Sequence, residues 1–93
     1  ATYRLIARHS GRALDVAGGT QATGDRTNVH QWDYEGAANQ QWIVTDLNNG
    51  YFKLKAVHSG KCLDVNDASP TPGANVQQYT DNGGTAQQWY LEP

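Results

Sequence analysis

The chain repeats itself. "YRLIARHSGRALDV" from Tyr3 is answered by "FKLKAVHSGKCLDV" from Phe52, so that Leu5, Ala7, His9, Ser10, Gly11, Leu14, Asp15 and Val16 recur 49 residues on. They recur as Leu54, Ala56, His58, Ser59, Gly60, Leu63, Asp64 and Val65. After Gly24, which matches Gly73, the first copy reads "GDRTNV" against "GANV", and the spacing falls to 47. Asn28, Val29, Trp32, Gln40, Gln41 and Trp42 then answer Asn75, Val76, Tyr79, Gln87, Gln88 and Trp89. Self-similarity at this period marks a supersecondary unit that buries its apolar face against a neighbouring unit. The chain is a tandem duplication in one domain, residues 1–93, with repeat one at 1–49 and repeat two at 50–93. The two extra residues fall in a Gly-rich turn, where added length costs little.

Each unit reads as four short strands separated by turn residues at the spacing expected of sandwiches and barrels. The first copy predicts strands at 3–8, 13–17, 28–34 and 41–45, and the second at 51–57, 62–66, 75–80 and 88–91. Ser-Gly, Gly-Gly, Asn-Gly and Pro-x-Pro-Gly supply the turns. Helical periodicity is nowhere convincing. The fold class is all-β.

Charge and composition exclude several functions. The formal net charge is −2 and no basic run is present, so a polyanion finds nothing to hold and nucleic acid is not expected as a partner. No apolar stretch approaches the length of a bilayer span, so no membrane insertion is expected. The chain starts without Met or a signal-like segment, which reads as a processed or excised product. No His/Cys cluster suits a metal, and nothing points to a cofactor. Cys62 has no partner in this chain and reads as a small buried hydrophobe.

Alternation sorts the side chains. Leu14 and Val16 point one way along their strand and Asp15 the other, and Leu63, Asp64 and Val65 repeat the arrangement. Asp is depleted in strands because it packs poorly and competes for backbone partners, so a repeated exception suggests a purpose. The aspartates are expected to point outward. On the third strand Val29 faces the core, which puts His30 and Trp32 on the outer side with Asp15. Gln77 and Tyr79 take the same side beyond Val76.

Leu-Asp-Val followed by "ANQQW" in one copy and "AQQW" in the other resembles the ricin B-type lectins, β-trefoil proteins whose repeats each end in a Gln-x-Trp signature. The resemblance covers the whole chain. It implies a β-trefoil of four-stranded repeats, with Trp42 and Trp89 in the core and Gln40 and Gln87 bracing both the fold and the binding aspartate. It implies sugar sites made of Asp15, His30, Trp32, Asn39 and Gln40 in repeat one, and of Asp64, Gln77, Tyr79 and Gln87 in repeat two. It further implies a secreted or extracellular protein with no cofactor, and galactose-type glycans as first partners, ahead of xylan or mannosides.

The chemistry suits these residues. An ionised Asp accepts from two adjacent sugar hydroxyls at once, and such charge-assisted hydrogen bonds are about twice as strong as neutral ones. An exposed aromatic ring covers the C–H face of the sugar and excludes water. Two departures stand out: His30 replaces the amide found at Gln77, and Ala86 replaces Asn39. Site one is therefore ranked above site two.

A trefoil needs three repeats and the chain supplies two. Eight strands would leave unpaired edges and a bared core, so closure is expected to require another chain. A homo-oligomer is expected, with a trimer favoured and "TDLNNG" from Thr45 as the hinge that lets repeats divide between lobes. A missing repeat also fits a dissected or engineered lectin. Catalysis is not expected: a glycosidase needs two carboxylates about 5–10 Å apart across one bond, whereas Asp15 and Asp64 belong to different repeats. The competing reading is a trefoil scaffold that binds a protein partner through its loops.

Overall fold

Alternating apolar and polar residues between Gly- and Asn-rich turns fold, in the computed structural model, into seven short strands; residues 1–92 are described. Repeat one supplies β1 (Thr2–Tyr3), β2 (Ala13–Val16), β3 (Thr27–Trp32) and β4 (Trp42–Asp46), and repeat two supplies β5 (Phe52–Ala56), β6 (Cys62–Val65) and β7 (Val76–Tyr79). They form one curled antiparallel sheet in the order β1-β4-β5-β6-β7-β3-β2. Four single turns of 3-10 helix join them, and two of these, Ala38–Gln40 and Thr85–Gln87, end on the Gln of the Gln-x-Trp signature.

Most expected strands lose one or two residues at their ends, and two are cut back much further, for related reasons. Of the segment expected at 3–8, only Tyr3 pairs with β4, beside Thr2 just before it. It then changes partner, making a lone bridge from Ile6 to Ala13 and accepting Leu14 N–H at Leu5 O, 2.8 Å. The last strand, expected at 88–91, is reduced to a single bridge between Trp89 and Phe52. Its counterpart β4 lies between β1 and β5, whereas the Trp89 segment has a neighbour on one side.

The expected hinge is a hairpin. β4 and β5 pair over five positions, from Trp42 opposite Ala56 to Asp46 opposite Phe52. The turn between them is fastened by Leu47 N–H to Tyr51 O at 3.0 Å, by Asp46 Oδ1 accepting from Asn48 N at 2.8 Å, and by Asn49 Oδ1 accepting from Tyr51 N at 3.0 Å. Asn48 takes a left-handed backbone, φ 61°, which asparagine tolerates well. Asn-Asn-Gly is thus a tight connection between strands and does not act here as a crossing linker.

The core is Val16, Trp42, Leu54, Ala56 and Leu63, flanked by Leu5, Leu14, Val29, Val44, Val76 and Trp89. Trp42 is completely buried. Its indole N–H donates to Leu14 O at 3.1 Å, and Trp89 donates likewise to Leu63 O at 3.0 Å. Trp42 therefore fills the core and Trp89, partly buried, packs against it, and each ties down the strand residue just before the aspartate, pairing its indole N–H.

Equivalent residues are not equally covered. Leu54, Ala56, Leu63 and Gln78 are buried, while their counterparts Leu5, Ala7 and Leu14 are half-exposed and Gln31 is exposed. Repeat one covers that face of repeat two: Gln78 Nε2 donates to Ala22 O and Gly24 O, both at 2.8 Å, and His58 Nε2 meets Ala22 O at 2.8 Å. Among the described residues, no repeat lies on the matching face of repeat one. There Gln31 accepts from Ser10 Oγ, and its amide N–H groups find no acceptor among the described residues.

Candidate functional site

The antiparallel register of β2 and β3 sets Asp15 opposite His30 and Val16 opposite Val29. One cross-strand pair thus faces outward and the next faces the core. In repeat two, Asp64 stands opposite Gln77 and Val65 opposite Val76. Each aspartate points away from the core, as expected, yet it is not exposed: Asp15 and Asp64 are both 5% accessible. Side chains arriving from β3 or β7, and from the 3-10 turn before the signature, close over each carboxylate.

In repeat one, His30 Nε2 lies 2.8 Å from Asp15 Oδ1. The acceptor carboxylate fits the tautomer with the proton on Nε2. Asn39 Nδ2 donates to Asp15 Oδ2 at 3.2 Å and to Val16 O at 3.0 Å. Trp32, 54% exposed, stacks on the His30 ring at 5.6 Å between centroids and 17° between planes. Its indole N–H donates to Glu35 Oε1 at 3.1 Å. The result is a cleft of about 370 Å³ whose lining includes Asp15, His30, Trp32, Asn39 and Gln40. All five expected residues meet there.

Gln40 is in the lining but does not hold Asp15. Its Nε2 donates to Asp33 O at 2.7 Å, and its Oε1 accepts from Glu35 N at 2.8 Å. It braces the turn that carries Glu35, and Asn39 supports the aspartate. In repeat two, where Ala86 cannot do so, Gln87 Nε2 donates both to Asp64 Oδ2 at 3.0 Å and to Thr80 O at 2.8 Å. Gln77 Nε2 donates to Asp64 Oδ1 at 3.1 Å. The expected bracing of the aspartate by the signature Gln holds in repeat two and is corrected in repeat one. The reason is which amide reaches the carboxylate first.

The second cleft, about 210 Å³, has Asp64, Gln77, Tyr79, Asn82 and Ala86 in its wall. Gln87 lies behind the carboxylate and does not form part of that wall. Arg26, Asp67 and Ala68 complete it. Arg26 comes from repeat one, so this cleft spans the repeat boundary. The turn carrying Asn82 is fixed by Asp81, which accepts from Lys53 Nζ at 2.9 Å and lies 3.2 Å from Lys55 Nζ. Hydrogen bonds from these two ammonium groups hold its carboxyl down at about 2.

Sequence reasoning missed Gly18, Gly19, Thr20, Glu35 and Ala37 in cleft one and Arg26, Asp67 and Ala68 in cleft two. A signal for some of them existed. Gly18 and Gly19 match Asp67 and Ala68 in the duplication, and all four have positive φ, between 51° and 93°. The same left-handed turn forms the lip of each cleft, disguised because repeat two builds it without glycine. Glu35 and Ala37 belong to a connection whose path no periodicity predicts.

The sequence matches the profile of the ricin-type β-trefoil lectin domain-like family twice, over residues 1–79 and 38–93. Among solved structures, the chain is similar to the designed three-fold symmetric protein ThreeFoil, with 54% identity and TM-score 0.95 over 99% of this chain. It is similar to 1,3Gal43A, an exo-β-1,3-galactanase from Clostridium thermocellum, with 37% identity and TM-score 0.91 over 98% of the chain. It is also similar to a Polyporus squamosus lectin bound to the epitope Neu5Acα2-6Galβ1-4GlcNAc, with 26% identity and TM-score 0.79 over 95% of the chain. It spans 64%, 19% and 30% of the lengths of these three chains. With seven strands in one curled sheet, two repeats that each fix a Leu-Asp-Val strand through a signature Trp, and these matches, the chain is a partial β-trefoil that belongs to the ricin-type β-trefoil lectin-like family.

Proposed function

We propose that the chain is a non-catalytic carbohydrate-binding lectin module, with one shallow site per repeat and galactose-type sugars (galactose, lactose, N-acetylgalactosamine) as its ligands. The observation that carries this reading is Asp15: a carboxylate pinned by His30 and Asn39 at the foot of a cleft whose wall is the exposed Trp32 ring. A carboxylate offers about four acceptor positions. Two are occupied by protein donors, which leaves two for adjacent hydroxyls, while Trp32 covers a C–H face. Asp64 with Gln77, Gln87 and Tyr79 repeats the arrangement. The family and the galactose-containing names among the similar structures support the sugar class. Asp15 and Asp64 line separate clefts, which favours binding over glycoside cleavage.

Single shallow sites of this kind should bind on the order of millimolar to tens of micromolar, about −4 to −6 kcal/mol. Copies joined on one assembly would add avidity. We infer that copies associate through the open flank of repeat one, where Leu5, Ala7, Leu14 and the amide of Gln31 are equivalent to groups that repeat one buries on repeat two. A trimer is the smallest assembly with a multiple of three repeats, and it requires one β4–β5 hairpin to open. Sedimentation equilibrium returning a monomer at all concentrations, with a sharp thermal transition, overturns the association.

The binding reading is tested by titrating the isotope-labelled protein with lactose and following amide shifts. Shifts clustered on Trp32, Asn39 and Tyr79 that vanish in Asp15→Asn and Asp64→Asn support it; Asn keeps the size of the side chain, and thermal unfolding of each variant checks that it is folded. A folded protein whose spectrum ignores galactosides at high millimolar concentration, or whose shifts survive both substitutions, refutes it.

A further inference from the structure

Asp25 and Arg26 are the two residues inserted after Gly24 in repeat one, where repeat two runs straight from Gly73 to Ala74, and both act on repeat two. Asp25 Oδ1 accepts from Thr80 N and Thr80 Oγ1, each at 2.8 Å. Those hydrogen bonds hold its carboxyl below the usual carboxylate range. Arg26 N–H donates to Gln78 O at 2.8 Å. Its guanidinium then reaches over the second cleft. Nη1 donates to Asn66 Oδ1 at 3.1 Å and to Asp67 Oδ1 at 3.2 Å, and Cζ stands 5.6 Å from the centre of the Tyr79 ring.

We propose that Arg26 is a ligand-binding residue of the second site and makes it selective for a sugar bearing an acidic group, a uronic acid in the first instance. The proposal rests on the carbohydrate-binding reading above and deepens it for this one site. Three observations carry it. First, the guanidinium is oriented through Nη1 alone, and its Nε and Nη2 donors have no acceptor among the described residues. That leaves the edge that pairs with a carboxylate in a two-pronged fashion. Second, Arg26 adopts φ 69°, a left-handed backbone in which a bulky side chain is unusual and glycine or asparagine would be easier. A strained position that nevertheless carries Arg, with its head in a cleft wall, fits retention of that head for contact. Third, Ala86 deprives this cleft of the amide that Asn39 contributes to the first, and Arg26 supplies donors in its place.

The opposing charges do not remove the preference. Asp64 is engaged by two amide donors, Gln77 and Gln87, and Asp67 takes only the Nη1 end of the guanidinium. A galacto-configured uronide can set two hydroxyls on Asp64 and turn its carboxylate to the Nε–Nη2 edge. Among the described residues the first cleft has no Lys or Arg in its lining, and Glu35 sits there instead, so it should reject the same ligand. One chain would then read a neutral and an acidic sugar with two related sites.

The experiment is a pair of amide-shift titrations, with methyl galactoside and with methyl galacturonoside, on the wild type, Arg26→Ala and Arg26→Gln. In the wild type, galacturonoside should move Tyr79 and the Arg26 Nε–H signal, bind the second site at least fivefold more tightly than galactoside, and leave Trp32 undisturbed. Raising the salt to ~0.5 M should narrow that ratio, because exposed charge pairs are screened. Both substitutions should lower galacturonoside affinity about tenfold and galactoside affinity by a clearly smaller factor, so that the preference for the acidic sugar is lost. Backbone contacts such as Arg26 N to Gln78 O survive them, and Arg26→Gln retains a donor for Asp67 should the alanine variant unfold. Galactoside binding at both sites with no galacturonoside preference, or equal losses for the two sugars, overturns the role of Arg26 and leaves the lectin reading standing. Silence with both sugars at both sites overturns both.

Discussion

Gln87 donates to the Asp64 carboxylate at 3.0 Å, whereas its counterpart Gln40 turns from Asp15 to the carbonyl of Asp33 at 2.7 Å. The two residues occupy the same place in the duplication and are both buried. They differ because Asn39 covers Asp15 and Ala86 cannot cover Asp64. Gln87→Ala removes a partner from a buried carboxylate and also strips Thr80 O and Asn82 N. It should cost about 2–3 kcal/mol and weaken ligand binding at the second site. Gln40→Ala should cost about 1–2 kcal/mol and leave the Asp15 hydrogen bonds intact. Urea unfolding with lactose titration of each variant checks the contrast, and equal binding losses would contradict it.

His30 and Gln77 do the same work with different groups, each presenting one N–H to its aspartate at 2.8 and 3.1 Å. His30→Gln should therefore keep lactose binding at the first site within about threefold, or ~0.7 kcal/mol. His30→Ala should lose at least tenfold, because Asp15 loses a donor and Trp32 loses the ring on which it stacks. Calorimetry at constant pH reads both. A glutamine variant as weak as the alanine variant would show that the imidazole is needed for itself.

Asp81 predicts a particular acid sensitivity. Its folded pKa, about 2, lies below the unfolded value of about 3.9, so the folded state favours the charged form. The stabilisation is fully present above pH ~4 and is lost as pH falls from there towards 2. Because the site is partly open to solvent, its size is about 1 kcal/mol at most. Asp81→Asn should lower the melting temperature at pH 6 and flatten the drop between pH 4 and 2. A parallel wild-type and variant profile across that range would refute the assignment.

Cys62 is completely buried, and burial pushes its thiol up to about 11. At pH 8 almost no thiolate exists to react. Native protein should resist iodoacetamide for hours and become alkylated within minutes in denaturing urea, as mass spectrometry would show. Rapid native labelling would mean that the β5–β6 region opens easily. The same burial fits the reading of Cys62 as a small apolar residue.

The duplication was legible residue by residue, since matching side chains at fixed spacing report matching environments. Strands two and three followed from that alone, and so did the shared faces of Asp15, His30 and Trp32 and of Asp64, Gln77 and Tyr79, because a two-residue period decides which side chains share a face. The places of Asn39, Gln40, Gln87 and the signature tryptophans came only with the family resemblance, and Gln87 lies outside the cleft wall. Which amide reaches which carboxylate did not follow. Asp15 and Asp64 look equally outward in alternation, and only the return of the chain through Ala38–Gln40 and Thr85–Gln87 buries them and chooses Asn39 in one repeat and Gln87 in the other. Strand lengths were misread at β1 and near Trp89 because a strand's extent depends on a neighbour that local pattern does not name. The sharpest divide is Arg26. Sequence marks it as an insertion in a turn. Contact across the repeat boundary brings its guanidinium into the wall of the second cleft, because packing places residues side by side without regard to the repeat from which they come.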